Sequence, residues 1–532
     1  MTTAHNATFD VLRAFGMTTV FGNPGSNELL FLDHFPSDFR YILALHEGAG
    51  LAMADGYAQT MGRPVLVNLH AAAGVGQAMG SLVNAQISGT PLVVMSGQQF
   101  RPLLTLEGQL TNRDAIVLPR PLVKWSFEAP SPAAVPAVVA RAAQFAMTAP
   151  TGPVFISVPL DDWRAEADAD TTALLSARHV SGRPQPARDA ITSLAQRLNS
   201  ARRPLLVLGA EVDASGGWDA AVALAERCSI PVLLAIESGR IPFPTDHACF
   251  QGTMGATMSR AREQLEGYDL VVVVGAPVFR YHAWTPGSYL PPGTELVMVS
   301  ADPDLAARAP MGDAIVGDPA AALAELAELV GPTSRTLPPP RPRPVPASED
   351  SELSVEQVSD VLAKVRPADA IFTSESPSMG SWWERVPVNR PGSFFSGAAG
   401  GLGFALPAAV GIGLARPERP VVAIVGDGSA NYSITGLWTA AQHGVHCTFL
   451  IIRNGVYEAL KDYGDFLETK GVPGMDLPGL DFVSLAAGYG VQGCRINTAN
   501  ALTEALKEAF ASRAPSLIEV EVAPSNSGMF AK

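Results

Sequence analysis

Two short segments carry residue types suited to holding a charged ligand. Gly426-Asp427-Gly428-Ser429-Ala430-Asn431 follows the apolar run PVVAIVG, and Asn454-Gly455 follows CTFLIIR. Asp427 and Asn454 stand 27 residues apart, each at the end of a predicted strand. If those strands are neighbours in a parallel sheet, both side chains leave the same carboxyl edge, where open α/β sheets bind ligands. A carboxylate, an amide oxygen and a turn carbonyl are hard donors suited to Mg²⁺ bridging a diphosphate. The flanking glycines let backbone N–H groups approach phosphate oxygens. GDG alone commonly marks a turn; its pairing with a second strand-end donor points to chemistry. A nicotinamide site fits less well, because no GxGxxG opens a first βα turn.

The N-terminal third adds three candidates. Glu47 follows YILAL and opens an alanine- and glycine-rich helix, where a carboxylate also suits the helix dipole. His70 ends PVLVNL, and Ser26 lies in the turn FGNPGSNE after TTVFG. Taken singly, each has an ordinary structural explanation: helix terminus, satisfied histidine, turn cap. Together they are three polar groups after three different strands, able to face one crevice.

The elements that must position these groups are near-continuous apolar runs alternating with helical stretches, as in parallel sheets covered on both faces. In the first unit the strands are 18–22, 41–45, 64–69 and 92–96, with helices over 48–60 and 77–86 and closure of the sheet near 153–158. A second unit has strands at 204–209, 230–235, 270–275 and 295–300. A third has them at 369–374, 420–426, 447–453 and 516–522. The fold class is therefore α/β, with three doubly wound parallel-sheet domains at 1–180, 181–335 and 351–532. The proline-rich stretch GPTSRTLPPPRPRPVPASED ends the second unit, and 336–350 reads as a linker. The architecture repeats, though the residues do not.

Composition narrows the function classes. The chain has 532 residues, 47% hydrophobic and 17% charged, enough apolar material for several cores. With 37 basic against 51 acidic residues, a net charge of -14 and no basic run, nucleic acid and anionic membrane surfaces are excluded as expected partners. Cys228, Cys249, Cys447 and Cys494 have no CxxC spacing, which predicts a reducing compartment. The N-terminus lacks the pattern of a signal peptide, so a cytoplasmic location is expected. Ala398–Ala415 is uncharged over 18 residues, but its five glycines and Pro407 predict a buried turn and helix rather than a membrane span.

FGNPGSNE, the strand end at Glu47, NLHAAAG and GDGSANYS with its downstream Asn-Gly resemble the thiamine-diphosphate-dependent 2-oxo acid decarboxylase and synthase superfamily. Within it the resemblance is strongest to the benzoylformate decarboxylases and extends over nearly the whole chain, including RPLVKWS, GAPVFRYH and AAGGLGFALPAA. It implies pyrimidine-binding, middle and diphosphate-binding domains. It also implies a homodimer with active sites at the subunit interface, assembled as a dimer of dimers. The implied cofactors are thiamine diphosphate and Mg²⁺ (or Ca²⁺), with a second, calcium-type site near Leu118 and Arg120.

The implied roles are these. Glu47 contacts the aminopyrimidine of the neighbouring subunit's cofactor, near Asn23. Asp427, Asn454 and the Val456 carbonyl hold the metal; Gly428, Ser429 and Tyr432 lie against the diphosphate; Leu402 wedges the cofactor into its bent form. Ser26 binds the substrate carboxylate, and His70 and His282 transfer protons. Ser26, Leu110, Ser396, Leu460 and Tyr463 line the substrate pocket. The implied reaction is decarboxylation of benzoylformate to benzaldehyde and CO₂, as in mandelate catabolism, with carboligation as a side activity.

Three departures bear on these expectations: Arg453-Asn454 stands where Asn-Asn is common, Tyr463 where phenylalanine is usual, and Ser396 where an aromatic is usual. Two other readings remain at this point. One is an acetohydroxyacid-synthase-like carboligase, or a decarboxylase of another aryl or branched 2-oxo acid. The other is a catalytically silent regulatory subunit, which the retention of Glu47 and of both metal-type residues disfavours.

Overall fold

The computed structural model describes residues 2–180, 182–236, 238–280, 282–342, 344–345, 353–523 and 530. Three six-stranded sheets form its frame. The first contains β1 (Thr19–Gly22), β2 (Arg40–Leu43), β3 (Val65–Leu69), β4 (Leu92–Gln98), β5 (Ser126–Glu128) and β6 (Val154–Pro159), in spatial order β2-β1-β3-β4-β6-β5. All its pairings are parallel. β3 and β4 are buried along their whole length, as strands covered on both faces must be. The last strand of this sheet along the chain is β6, at the position expected near 153–158, but in space it lies inside, and the edge is β5, which the sequence did not show. That strand reads SFE, three residues too short and too polar to form an apolar run.

The second sheet contains β7 (Pro204–Leu208), β8 (Val232–Leu234), β9 (Phe250–Thr253), β10 (Leu270–Val274), β11 (Glu295–Ser300) and β12 (Asp313–Val316), ordered β9-β8-β7-β10-β11-β12. The third contains β13 (Ile371–Glu375), β14 (Phe394–Ser396), β15 (Val421–Gly426), β16 (Cys447–Arg453), β17 (Gln492–Ile496) and β18 (Ser516–Glu521). Its order, β14-β13-β15-β16-β18-β17, repeats that of the first sheet strand for strand. The architectural repeat is therefore present. β15 and β16 are adjacent and parallel, so the strand ends carrying Asp427 and Asn454 are neighbours. Residues 331–342 and 344–345 run without helix or strand. The remainder of the expected linker, 343 and 346–350, lies outside the described residues.

Four helices matter for the site: α1 (Glu47–Met61), α2 (Ala71–Ile87), α3 (Ala405–Ala415) and α4 (Glu458–Phe466). α2 starts six residues before the stretch expected from sequence, because His70 serves as its N-cap residue. The uncharged stretch is the turn and buried helix predicted for it: α3 packs against α1. A Cβ on Gly411 would lie 1.9 Å from the Met53 carbonyl oxygen, and one on Gly56 2.5 Å from that of Ala408. Backbones this close need glycine at both crossings. Leu51, Met53, Ala405 and Val410 share one apolar cluster, so the first and third sheets are locked through a common core. Among the described residues no helix is long and apolar enough to cross a membrane, and all four cysteines are free thiols.

Arg240 joins all three units. Its Nη1 donates to Asp213 Oδ2 (2.8 Å) and its Nη2 to the Gln59 carbonyl (2.8 Å). The guanidinium also stacks 4.7 Å from the Phe395 ring centre, while Gly392 N–H donates to Asp213 Oδ1 (3.0 Å). Breaking a buried pair from one side strands the other charge. Arg240→Ala is expected to cost about 3–5 kcal/mol, seen as a lower urea midpoint. The same change at Arg13, whose partners Asp10 and Asp38 are exposed, should cost under about 1 kcal/mol.

Candidate active site

The first group of polar residues forms where β1, β2 and β3 end. Ser26 is exposed on a short 3₁₀ turn after β1, with half-buried Asn23 just before it. Beneath the turn lies Glu28, only 1% exposed. Its Oε2 accepts from Gly25 N–H (3.0 Å) and meets His70 Nδ1 at 2.8 Å. Its Oε1 accepts from Ala71 N–H (3.2 Å) and Gly97 N–H (2.9 Å). With three backbone donors aimed at it, the carboxylate acts as acceptor. His70 Nδ1 then carries the hydrogen, and Nε2 is left for a ligand.

The chain bends hard to achieve this contact. Ala71 has φ +40°, a left-handed conformation for a residue with a Cβ. A Cβ on Gly25 would fall 1.9 Å from His70 Nδ1, so only glycine admits the ring there. Glu47 opens α1, capped by His46, whose Nδ1 accepts from Gly48 N–H (3.1 Å). A Cβ on Gly74 would lie 3.3 Å from Glu47 Oε1 and 3.4 Å from the His70 Cβ, so both residues flank one glycine of α2. Burial, with Glu28 and Glu47 nearby, pushes the Tyr41 hydroxyl well above its ordinary range. Leu110, at φ +70°, joins this group: its carbonyl accepts from Asn27 Nδ2 (3.4 Å).

The second group surrounds the β15 and β16 ends. Asp427 is 3% exposed, and burial raises its carboxyl above the usual range. Its Oδ1 accepts from Gly428 N–H (2.8 Å) and its Oδ2 from Gly455 N–H (2.7 Å). Asn454 Nδ2 donates to Glu458 Oε2 on α4 (2.7 Å), which fixes the amide, and its Oδ1 accepts from Val456 N–H (3.2 Å). Among the described residues no cluster of three or more His, Cys, Asp and Glu side chains could hold an ion. A cation here therefore needs the mixed set the turn offers: a desolvated carboxylate, an amide oxygen and the Val456 carbonyl. Those donors fit Mg²⁺ or Ca²⁺.

Arg453 is used elsewhere, donating to Glu521 Oε1 (2.6 Å) across the parallel register and lying 3.4 Å from buried Glu519. An arginine beside Asn454 therefore leaves the hydrogen bonds of that turn in place. Ser429 is buried behind the GDG turn, and Tyr432 is exposed beside it. A Cβ on Gly428 would lie 2.4 Å from the Tyr457 ring. α4 also carries Leu460, half in solvent, and Tyr463, whose ring meets His282 edge-on at 5.1 Å. Leu402 precedes Gly403 (φ +104°) in the turn entering α3. Ser396 is drawn toward the middle unit, where its N–H donates to the Gly239 carbonyl (2.9 Å).

The structure thus assembles the candidates as two sets. Ser26, Asn23, Glu47, His70 and Leu110 belong to the first sheet. Asp427, Gly428, Ser429, Tyr432, Asn454, Val456, Leu460, Tyr463 and His282 surround the third, with Leu402 on the adjoining turn; Ser396 ends β14 at the edge of that sheet, paired with Ser374 and turned toward the middle unit. Sequence reasoning missed Glu28 and Glu375. The Glu375 carboxylate ends β13 and accepts from the N–H groups of Gly403, Phe404 and Ala405 (2.6–3.0 Å), pinning the turn that carries Leu402. Burial pushes it up to about 7, against the lowering effect of those donors. The available signal was topological: in this strand order the crevice opens between β13 and β15, so the residues after β13 belong to it as much as Asp427 does.

Residues 2–116, 191–326 and 378–520 match, respectively, the N-terminal TPP binding domain, the central domain and the C-terminal TPP binding domain of thiamine pyrophosphate enzymes. The chain is 52% identical to benzoylformate decarboxylase of Pseudomonas aeruginosa over 98% of this chain and 99% of that protein. Its fold superimposes on the 4-hydroxybenzoylformate decarboxylase of Rhodococcus jostii RHA1 with TM-score 0.96 and 47% identity, covering 99% of this chain and 100% of that one. Benzoylformate decarboxylase from Polynucleobacter necessarius gives 0.95 at 40% identity, covering 99% of each. By these likenesses and by the two strand-end sets, the chain belongs to the thiamine-diphosphate-dependent 2-oxo acid decarboxylase family and groups there with the benzoylformate decarboxylases.

Proposed function

We propose that the protein decarboxylates an aromatic 2-oxo acid of the benzoylformate class: the C–C bond to the carboxylate breaks, CO₂ leaves and a proton takes its place, giving the aldehyde. The observation that carries this reading is the Glu28–His70 pair set beside Ser26 and Glu47, within a chain 52% identical to a benzoylformate decarboxylase. Thiamine diphosphate, when bound, supplies the sink for the electron pair freed by that cleavage.

The chain's own residues bind, orient and move protons. Asp427, the Asn454 amide oxygen and the Val456 carbonyl would hold Mg²⁺ or Ca²⁺. Gly428, Ser429 and Tyr432 would lie against the diphosphate, Leu402 would pack against the bound cofactor, and Glu47, near Asn23, would hold a proton at the pyrimidine ring. Ser26 Oγ donates to the substrate carboxylate. His70 Nε2 and His282 deliver and remove protons at the reacting carbon and its oxygen. Leu110, Leu460 and Tyr463 offer the aryl group an apolar surface, with Ser396 widening the wall. Loss of a carboxylate charge favours a dry pocket.

The two sets meet across two copies of the chain, the first-sheet set of one facing the third-sheet set of the other, in a dimer of dimers. Large apolar side chains of both sets stand exposed on the single chain: Leu110 at 38%, Tyr432 at 56% and Leu460 at 51%. Such surface is expected where a partner docks. The domains run 1–180, 181–335 and 351–532, and the enzyme works in the cytoplasm. Its substrate arises by oxidation of an aryl 2-hydroxy acid such as mandelate. The synthase alternative is not favoured, because the closely similar relatives reported above are decarboxylases.

The test is CO₂ release by purified protein given thiamine diphosphate and Mg²⁺, over a panel of phenyl, benzyl and branched-alkyl 2-oxo acids. The expected result is highest kcat/KM for the phenyl compound, and a cofactor-dependent activity lost on chelation and restored by Mg²⁺. A protein that releases no CO₂ from any member of the panel overturns the reading.

A further inference from the structure

Phe530 follows β18 and is far along the chain from the candidate site residues, yet it is 6% exposed and its ring packs on two of them. Its ring centre is 4.8 Å from that of Tyr463 and 5.1 Å from that of His282, tilted by 50° and 47°. Tyr463 in turn meets His282 at 85° and stacks on Phe466 at 5.9 Å, nearly parallel. Ala256 and Ala283 complete this small cluster, which is separate from the cores beneath the three sheets. His282 is tied at its backbone, donating to the Ala256 carbonyl (3.1 Å), while its ring rests against aromatic rings from two other places in the chain. The imidazole is exposed; the ring beside it is not.

Such an arrangement restricts an imidazole more than a single contact does. Offset and edge-on ring pairs at about 5 Å favour particular orientations, and a proton-transfer group loses efficiency when displaced by about 1 Å. Tyr463 is already in the aryl surface, so a ring packed on both it and His282 borders the same space. We propose that Phe530 is a positioning residue that clamps His282 and closes the outer wall of the substrate's aryl pocket. The proposal rests on the decarboxylase reading for its kinetic consequences, though not for the clamp itself.

The clamp is tested in the full-length protein by diethylpyrocarbonate labelling, with modification of residue 282 followed by peptide mass mapping. In Phe530→Ala the imidazole loses one of the two rings packed on it, and labelling at 282 should be about threefold faster or more, with cofactor binding unchanged and Tm lowered only by the loss of the buried ring. Phe530→Leu keeps most of the buried volume without the ring, and should behave as Phe530→Ala does. Phe530→Tyr keeps the ring and should restore the wild-type rate. With benzoylformate, Phe530→Ala should lower kcat/KM about tenfold, part of it in kcat, and should shift preference toward 4-substituted aryl acids. Unchanged labelling at 282 in both the Ala and Leu variants overturns the clamp, whatever the kinetics. Faster labelling with unchanged kcat, KM and selectivity overturns the pocket wall. If wild type turns over no 2-oxo acid but labelling responds as described, the clamp stands and the decarboxylase reading is what fails.

Discussion

Glu47→Gln is expected to lower kcat for every accepted 2-oxo acid by about 10²–10⁴-fold, with a much smaller loss of cofactor affinity. Glutamine matches the carboxyl in size, so it fits against Gly74, where even a methyl would touch Glu47 Cγ at 3.2 Å. It cannot carry a negative charge, however, and so cannot hold a proton at the pyrimidine ring in the way the reaction requires. The position offers the side chain little alternative. Glu47 is the first residue of α1, fixed by the His46 cap below and by α2 alongside. Single-turnover decarboxylation at saturating cofactor, together with the thiamine diphosphate dissociation constant from fluorescence quenching, separates the two effects. Undiminished turnover would remove Glu47 from the mechanism. A loss confined to cofactor affinity would reduce it to a binding contact.

The parts of this site that were legible in the sequence are those encoded locally. Asp427 and Asn454 could be found because each follows a run of buried apolar residues long enough to be a parallel strand, and because a turn must follow. The same holds for His70 after β3; Glu47 was found from the apolar run YILAL, of which only Tyr41–Leu43 is strand and only Ile42 of those is buried. The unread strands β5, β9, β12, β14 and β17 have three to five residues each and sit at or next to sheet edges, where one face is often wet and the apolar run disappears. β17 reads QGCRI and is exposed along four of its five positions. Glu28 and Glu375 were out of reach for a different reason. The four partners of Glu28 come from residues 25, 70, 71 and 97, at the ends of three strands, and those of Glu375 from residues 403–405, some thirty positions further on. No local pattern records such convergence; it exists only once strand order is fixed. Arg453 illustrates the opposite limit, where a departure visible in the sequence is explained only by Glu521 lying opposite it in register.

Glu28 also gives the second large prediction. His70→Ala should lower kcat by about 10²–10⁴-fold, with KM changing far less, if the imidazole transfers a proton. Glu28→Gln should approach that loss although it touches no substrate. A glutamine amide can present its N–H₂ to Nδ1, which would then become the acceptor and force the hydrogen onto Nε2. The wrong tautomer of a correctly placed histidine can cost as much as about 10⁴-fold. Glu28→Ala instead unties Gly25, Ala71 and Gly97 together with the ring, so it should lower stability as well as turnover. The decisive quantity is the coupling in a double-mutant cycle. If Glu28 acts only through His70, then Glu28→Gln adds almost nothing to His70→Ala, and the double variant turns over at the rate of His70→Ala alone. Losses that multiply would instead mean that Glu28 acts on the reaction by a separate route. They would also mean that the 2.8 Å contact, close as it is, does not set the histidine's proton.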